Sequence, residues 1–252
     1  MLEVLIDEIR LKPGKDRLLL SNIRFSAGSK QVLTIAGKNG TGKSTLLKAI
    51  PRLLDSRLYT VNGKVFFNGS NILAQDQKNL REIRKNKIKY VMQDSSGSFD
   101  PLKKFRYYFE LAFENNNTNI KEAKDLLEFF FLPDADKLFK LHPYEISGGM
   151  AQRISFILAL MAHPQILLLD EPTSGIDSPI SNLLLLKIKE FVSAEQASVL
   201  LVTHDLRFAE KISDSIAILA GGILSDFYTR EELNNNGLFN TAFGDGVNEY
   251  LA

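Results

Sequence analysis

Asp170 and Glu171 are adjacent carboxylates that follow an uninterrupted apolar run, Ile166-Leu167-Leu168-Leu169, and a third carboxylate, Asp177, comes after the turn Pro172-Thr173-Ser174-Gly175-Ile176. Two neighbouring negative charges repel each other unless a cation or a bound ligand justifies them. Metal-nucleotide chemistry supplies both. A second stretch, Gly37-Lys38-Asn39-Gly40-Thr41-Gly42-Lys43-Ser44, has the spacing G-x-x-x-x-G-K-[ST]. Its glycines let the backbone curl so that successive N–H groups point inward at an anion. In such a loop Lys43 reaches the β- and γ-phosphates, Ser44 ligates Mg²⁺ and Thr45 adds a phosphate contact. A third stretch, Ser147-Gly148-Gly149-Met150-Ala151-Gln152-Arg153, reads as a helix opened by two glycines just upstream of the acid pair.

The elements around these residues follow from periodicity. Residues 166 to 169 are too apolar for a half-exposed strand and too few for a helix, so they are expected to form a buried parallel strand, whose carboxyl end is where ligands of such sheets collect. Gln31 to Ala36 is a strand leading into the glycine loop, and Leu46, Leu47, Ile50, Leu53 and Leu54 recur at helical spacing after it, with Pro51 the weak point. Val4 to Ile9 and Leu18 to Phe25 are expected as antiparallel strands around a Lys12-Pro13-Gly14-Lys15-Asp16 turn, and residues 61 to 73 as a further strand of that edge. Ile88 to Met92 is a strand that ends in Gln93.

From Leu102 to about Leu141 the pattern turns helical, with Phe105, Tyr108, Phe109, Ala112 and Phe113 on one helix, an Asn115-Asn116-Asn117-Thr118 loop, and Ala123, Leu126, Leu127 and Phe130 on another. An inserted helical subdomain is expected there, continuing through the helix that carries Ile154, Ile157, Leu158 and Met161 and stops at His163-Pro164. Ile180 to Val192 is a striped helix, and Ser198 to Val202 a buried strand closed by Thr203-His204-Asp205. Ser215 to Ala220 and Ile223 to Tyr228 form a hairpin over Gly221-Gly222, and Asn234-Asn235-Asn236 marks a loose tail.

Bulk properties exclude several classes. With 252 residues, 44% hydrophobic and 24% charged, the chain can bury one substantial core and a subdomain. Its 31 basic against 30 acidic residues, net +1, give no charge argument for nucleic acid. The basic run Lys78 to Lys87 lacks interleaved aromatics and reads as a solvated face. Zero cysteines exclude disulfides, cysteine-held zinc and iron–sulfur clusters. No apolar run approaches the ~20 residues of a spanning helix. The start, Met1-Leu2-Glu3-Val4-Leu5-Ile6-Asp7-Glu8, lacks the order of a signal peptide, so the chain is expected in the cytoplasm.

Taken together, these residues resemble the ATP-binding-cassette (ABC) ATPase family, with a Walker A loop at Gly37 to Ser44, a Q-loop at Gln93, a signature at Ile146-Ser147-Gly148-Gly149-Met150, Walker B at Ile166 to Asp170 with Glu171 next, a D-loop at Ser174 to Asp177, and a switch histidine at His204. The motifs stand in the family's order and cover most of the chain. The resemblance implies an α/β fold over residues 1–252: a P-loop NTPase core with a mainly parallel sheet, an N-terminal antiparallel β-subdomain and a helical subdomain inserted at about 94–162. His142 and His163 keep local structural roles. Within the family, Leu141 to Arg153 and Gln93 to Pro101 are most similar to importer ATPases for peptides and nickel, where Met150 is common at that signature position.

The resemblance further implies hydrolysis of Mg-ATP. Lys43 and the loop amides of Gly37, Lys38, Asn39, Gly40, Thr41, Gly42, Ser44 and Thr45 offset phosphate charge; Ser44, Gln93 and Asp170 stand around Mg²⁺, Asp170 directly or through water. Glu171 is the general base or positions the water, and His204 steadies the γ-phosphate. Ser147, Gly148 and Gly149 serve the nucleotide of an opposite cassette, with Asp177 near the seam. The implied partners are a second cassette and transmembrane permease subunits, at the cytoplasmic face of the cell membrane. Two departures stand out: no Phe, Tyr or Trp lies between Met1 and Arg24 to stack on adenine, and the cysteine-bearing C-terminal extension of many peptide-importer subunits is absent. A soluble cassette ATPase in iron–sulfur scaffold assembly is the alternative; a DNA-repair or chromosome ATPase would need a long heptad insertion or zinc-binding cysteines.

Overall fold

A computed structural model describes residues 1–12, 16–116, 118–229 and 231–232. In chain order its elements are β1 (Leu2–Leu11), β2 (Arg17–Ala27), β3 (Val32–Ala36), α1 (Lys43–Ala49), β4 (Tyr59–Phe67), β5 (Ser70–Asn71), α2 (Gln77–Asn86), β6 (Ile88–Val91), α3 (Phe105–Asn116), α4 (Ile120–Phe129), α5 (Ala135–Leu138), α6 (Gly148–Leu160), β7 (Ile166–Asp170), α7 (Ser178–Glu195), β8 (Ser198–Thr203), α8 (Leu206–Ile212), β9 (Ser215–Ala220) and β10 (Ile223–Leu224). They gather into two compact units, one of Met1–Arg81 with Ser198–Ala252, the other of Glu82–Ala197.

The first unit holds two sheets. In one, β2, β1, β4 and β5 lie side by side, all antiparallel. Leu2, Val4 and Ile6 alternate onto its buried face, and the next buried residue is Ile9, three positions on. A register shift against β4 between Ile6 and Glu8 absorbs the extra residue. Gly63 faces Ile6 there at φ 135°, where an added Cβ would meet the Leu5 carbonyl oxygen at 2.3 Å, so only glycine fits. In the other sheet, β3 lies parallel between β8 and β9, and β10 pairs antiparallel with β9. All five residues of β3 and all six of β8 are buried, as strands covered on both faces require.

The second unit is built on β6 and β7, a parallel pair in which Val91 faces Leu169, with α3 to α7 around it. Phe105, Phe109, Phe130 and Phe156 are fully buried in it, and their rings meet at 4.9 to 5.8 Å in pairs such as Phe109–Phe139, Phe99–Phe105 and Phe130–Phe156. The aromatic stripe is therefore core. The helix α2 buries only Leu80, in line with a solvated basic face.

Three expectations about elements are corrected. Residues 61 to 73 are not one strand: Asn68 and Gly69 take φ of 49° and 80°, a two-residue reversal that returns the chain as β5 and then a 3-10 turn at Ile72–Ala74. The helix after the glycine loop ends at Ala49, before Leu53 and Leu54; Arg52, just past Pro51, sits at φ 57°, outside the helical range. Ile223 to Tyr228 is a strand only at Ile223–Leu224, because the Ser225 hydroxyl takes the Ile218 N–H that would continue the ladder, leaving a single bridge from Ile216 to Tyr228. Residues 13–15 of the expected Lys12 to Asp16 turn, Asn117 of the asparagine loop, and the Asn234 to Asn236 tail lie outside the described residues.

Candidate functional site

In the first unit, β3 delivers the chain into the loop Gly37 to Ser44. The Gly37 N–H donates to the Thr203 carbonyl oxygen at 3.3 Å, which ties the loop's first residue to the end of β8. A Cβ on Gly37 would lie 2.5 Å from the Leu219 carbonyl oxygen, so the backbone passes where no side chain fits. Gly40 and Gly42 take φ of 80° and 102°, the left-handed region that produces the curl. The Lys43 ammonium, its residue 5% exposed, donates to the carbonyl oxygens of Gly37 at 2.7 Å and Lys38 at 3.1 Å. Those bonds hold it in the bend of the loop, where it can meet a phosphate.

Ser44 and Thr45 follow in the first turn of α1. Ala36 pairs in register with Thr203, so the residue after Thr203, His204, leaves the sheet at the same edge as the loop. The Thr203 hydroxyl accepts the Asp205 N–H at 2.9 Å, and the Asp205 carboxylate caps α8 through the Phe208 N–H at 3.0 Å. These local bonds fix the turn that presents the exposed His204. This unit thus brings together Gly37 to Thr45 and His204.

In the second unit, β7 ends at Asp170, 2% exposed, and Glu171, 3% exposed. Glu171 sits at φ 47°, a conformation that costs a side-chain-bearing residue on the order of 1–3 kcal/mol unless its surroundings impose it. The surroundings are identifiable. The Gln152 side-chain amide, on α6 and buried, donates to the Pro172 carbonyl oxygen at 2.8 Å and to that of Glu171 at 3.4 Å. The Ser174 N–H donates to the Glu171 carbonyl oxygen at 3.0 Å, closing the turn. The Tyr90 hydroxyl donates to Asp170 Oδ2 at 2.6 Å. Burial, then the neighbouring Asp170 carboxylate, pushes the Tyr90 hydroxyl well above the ordinary tyrosine range, so it stays protonated as a donor.

Because Val91 faces Leu169, the chain leaving β6 through Met92 and Gln93 departs from the same edge as Asp170 and Glu171. The Ser147 hydroxyl accepts the Met150 N–H at 3.2 Å and so caps α6, with Gly148 and Gly149 in its first turn. A Cβ on Gly149 would lie 3.8 Å from the Gly175 carbonyl oxygen, which puts the opening of α6 beside the turn before α7. Asp177 caps α7 through the Ile180 N–H at 3.3 Å. Arg153 donates to the carbonyl oxygens of Gly149 at 3.1 Å and Phe130 at 2.8 Å, pinning α6 to α4; burial lowers its pKa, and the Asp177 charge works against that. This unit thus brings together Gln93, Ser147 to Gly149, Asp170, Glu171 and Asp177.

Tyr90, Gln152 and Arg153 had no assigned role in the sequence reading. Gln152 carried one usable signal, its place in the polar opening of an otherwise mainly apolar helix, beside Arg153; Tyr90 carried none, since an aromatic suits any strand. The Nδ1 of His142 faces Glu145, three residues on, at 3.0 Å, and that of His163 faces Glu195 of α7 at 3.1 Å.

Comparison with known proteins bears on both units. The oligopeptide transport ATP-binding protein AmiE of Streptococcus pneumoniae is 31% identical over 209 residues, which are 81% of this chain and 59% of AmiE; the chain thus spans under two thirds of that relative. The metal-staphylopine import system ATP-binding protein CntD of Staphylococcus aureus is 29% identical over 223 residues, 86% of this chain and 82% of CntD. A solved dimer of the ATP-binding cassette MJ0796, in a post-hydrolysis state with ADP and Pi, matches with a TM-score of 0.78 at 24% identity, covering 91% of this chain and 98% of that one. That likeness shows the cassette fold. The sequence pattern described as ABC transporter matches residues 20–174, from β2 through the acid pair to the turn beyond it, and the chain belongs to that family.

Proposed function

We propose that the chain is the ATP-hydrolysing subunit of an importer, in which binding and hydrolysis of Mg-ATP by a pair of cassettes drives uptake of a peptide or metal-type cargo through permease subunits. The observation that carries the reading is the acid pair. Asp170 and Glu171 are both almost wholly buried at the end of an apolar strand, and burying two adjacent carboxylates is costly unless a cation and a reacting group use them. The importer assignment is supported by relatives named for oligopeptide transport and metal-staphylopine import.

In this reading Lys43 and the amides of Gly37 to Thr45 hold the phosphates. Ser44, Gln93 and Asp170 offer a hydroxyl, an amide and a carboxylate, an all-oxygen set suited to Mg²⁺. Among the described residues no group of three or more His, Asp or Glu could hold a metal alone, which suits a cation carried in on a triphosphate. Magnesium, when bound, would offset the charge on the phosphate oxygens. Glu171 takes the proton of the attacking water or orients it, and His204 donates toward the γ-phosphate. Ser147, Gly148 and Gly149 act on the nucleotide of the opposite cassette, with Asp177 at the seam, so a lone chain binds ATP and turns it over poorly. Residues about 94–162 serve as the helical subdomain that faces the permease, and the protein works at the cytoplasmic face of the membrane. Among the described residues no helix is long and apolar enough to cross it.

Phosphate release and nucleotide binding, measured on the chain alone and with any polytopic membrane protein recovered by copurification, test this. Turnover should rise in the complex. Full turnover by the isolated chain, with no membrane partner recovered, would support a soluble assembly ATPase instead.

A further inference from the structure

We infer that Tyr90 is a positioning residue for Asp170: its hydroxyl sets the orientation of the carboxylate that handles the nucleotide's metal ion. The inference rests on the proposed role of Asp170 given above. Tyr90 lies on β6 in register with Leu168 of β7. Asp170 is two residues further along β7, and side chains two apart on a strand share a face. A tyrosine is long enough to span that diagonal, and its hydroxyl reaches Asp170 Oδ2 at 2.6 Å.

The strand itself does not need the hydroxyl. Ile88 and Val91 supply the buried apolar contacts of β6, and a phenylalanine ring at position 90 would pack as a tyrosine ring does. What the oxygen adds is control of the carboxylate. The terminal torsion of an aspartate is broad, so its plane is set by whatever bonds its oxygens. A neutral donor on Oδ2 fixes that plane without the competing positive charge that Lys or Arg would bring. It also sets the direction in which the carboxylate meets a cation. Partners of this kind orient metal-binding carboxylates, and their removal weakens metal binding roughly 10–100-fold.

The test uses the full chain and compares Tyr90→Phe, Asp170→Asn and the parent. Three quantities are measured: half-saturation by Mn²⁺ in the presence of ATP, from the spin resonance of free Mn²⁺; affinity for a fluorescent ATP analogue in EDTA; and melting temperature. In Tyr90→Phe the Mn²⁺ half-saturation should rise roughly tenfold and the EDTA affinity stay at the parent value, while the melting temperature falls only as far as loss of one hydrogen bond to a buried carboxylate requires. Asp170→Asn should lose more metal affinity than that. Parental Mn²⁺ half-saturation in Tyr90→Phe, with a loss in Asp170→Asn, overturns the role of the hydroxyl and leaves that of Asp170 standing. Parental behaviour in Asp170→Asn overturns the reading beneath it. If Tyr90→Phe loses EDTA affinity in the same proportion as metal affinity, the hydroxyl serves the strand's packing and the inference also fails.

Discussion

Several bonds within the glycine loop join residues close in sequence, whereas the acid turn also takes bonds from distant elements of its unit. Lys43 is held by carbonyls six and five residues back, and Thr41 by Lys38 three residues back. Asp170 is held by Tyr90, eighty residues away, and the backbone of Glu171 and Pro172 by Gln152, nineteen and twenty residues away. The difference follows from what each region presents. The loop offers backbone N–H groups, which a local curl can aim by itself. The turn offers two side-chain carboxylates, which repel and rotate freely unless other elements restrain them. A backbone curl can therefore be written in a short motif, while a pair of buried carboxylates has to be placed by tertiary packing.

The contrast can be broken or sharpened by mutation. Glu171→Gln removes a charge from the turn and leaves the loop intact, so turnover should fall by about 10²–10⁴-fold with ATP binding retained; paired phosphate-release and binding titrations check it. Lys43→Ala attacks the loop instead. It should weaken ATP binding itself by about 10–100-fold, the worth of one charged hydrogen-bonding group, in the same titration. Gln152→Leu keeps the bulk of a buried side chain and withdraws the donor from the Glu171 and Pro172 carbonyls. A stability loss of about 1–3 kcal/mol is expected by denaturant unfolding, with lower turnover and unchanged affinity for ATP. An equal fall in ATP affinity would mean that the two regions do not act separately. Ser147→Ala should be the mildest, costing about 1 kcal/mol through loss of the α6 cap. Its turnover should nevertheless drop in the assembled pair of cassettes, because Ser147 is assigned to the opposite nucleotide.

What could be read from the sequence divides along the same line. Gly37 to Ser44 announced its conformation, because the glycines at 40 and 42 and the lysine at 43 act locally. Ile166 to Asp170 announced a buried strand, because an unbroken apolar run suits a parallel sheet. The hydrogen bonds that restrain Asp170 and Glu171 were hidden, since Tyr90 and Gln152 meet them only after strand pairing and helix packing. Element ends were lost where one residue type has two uses. Asn68-Gly69 looked like part of a strand until its positive φ angles made it a reversal, and Ser225 looked like a strand residue until its hydroxyl captured a ladder N–H.

In the proposed function, loop and turn, built so differently, serve one Mg-ATP. A double-mutant cycle on Mg-ATP affinity, with Ser44→Ala, Asp170→Asn and the pair, tests it most directly. Two groups acting on one metal ion should be coupled, with the double variant departing from additivity by about 1 kcal/mol or more. Losses that add within about 0.5 kcal/mol would contradict the claim, because groups with no shared partner behave in that way.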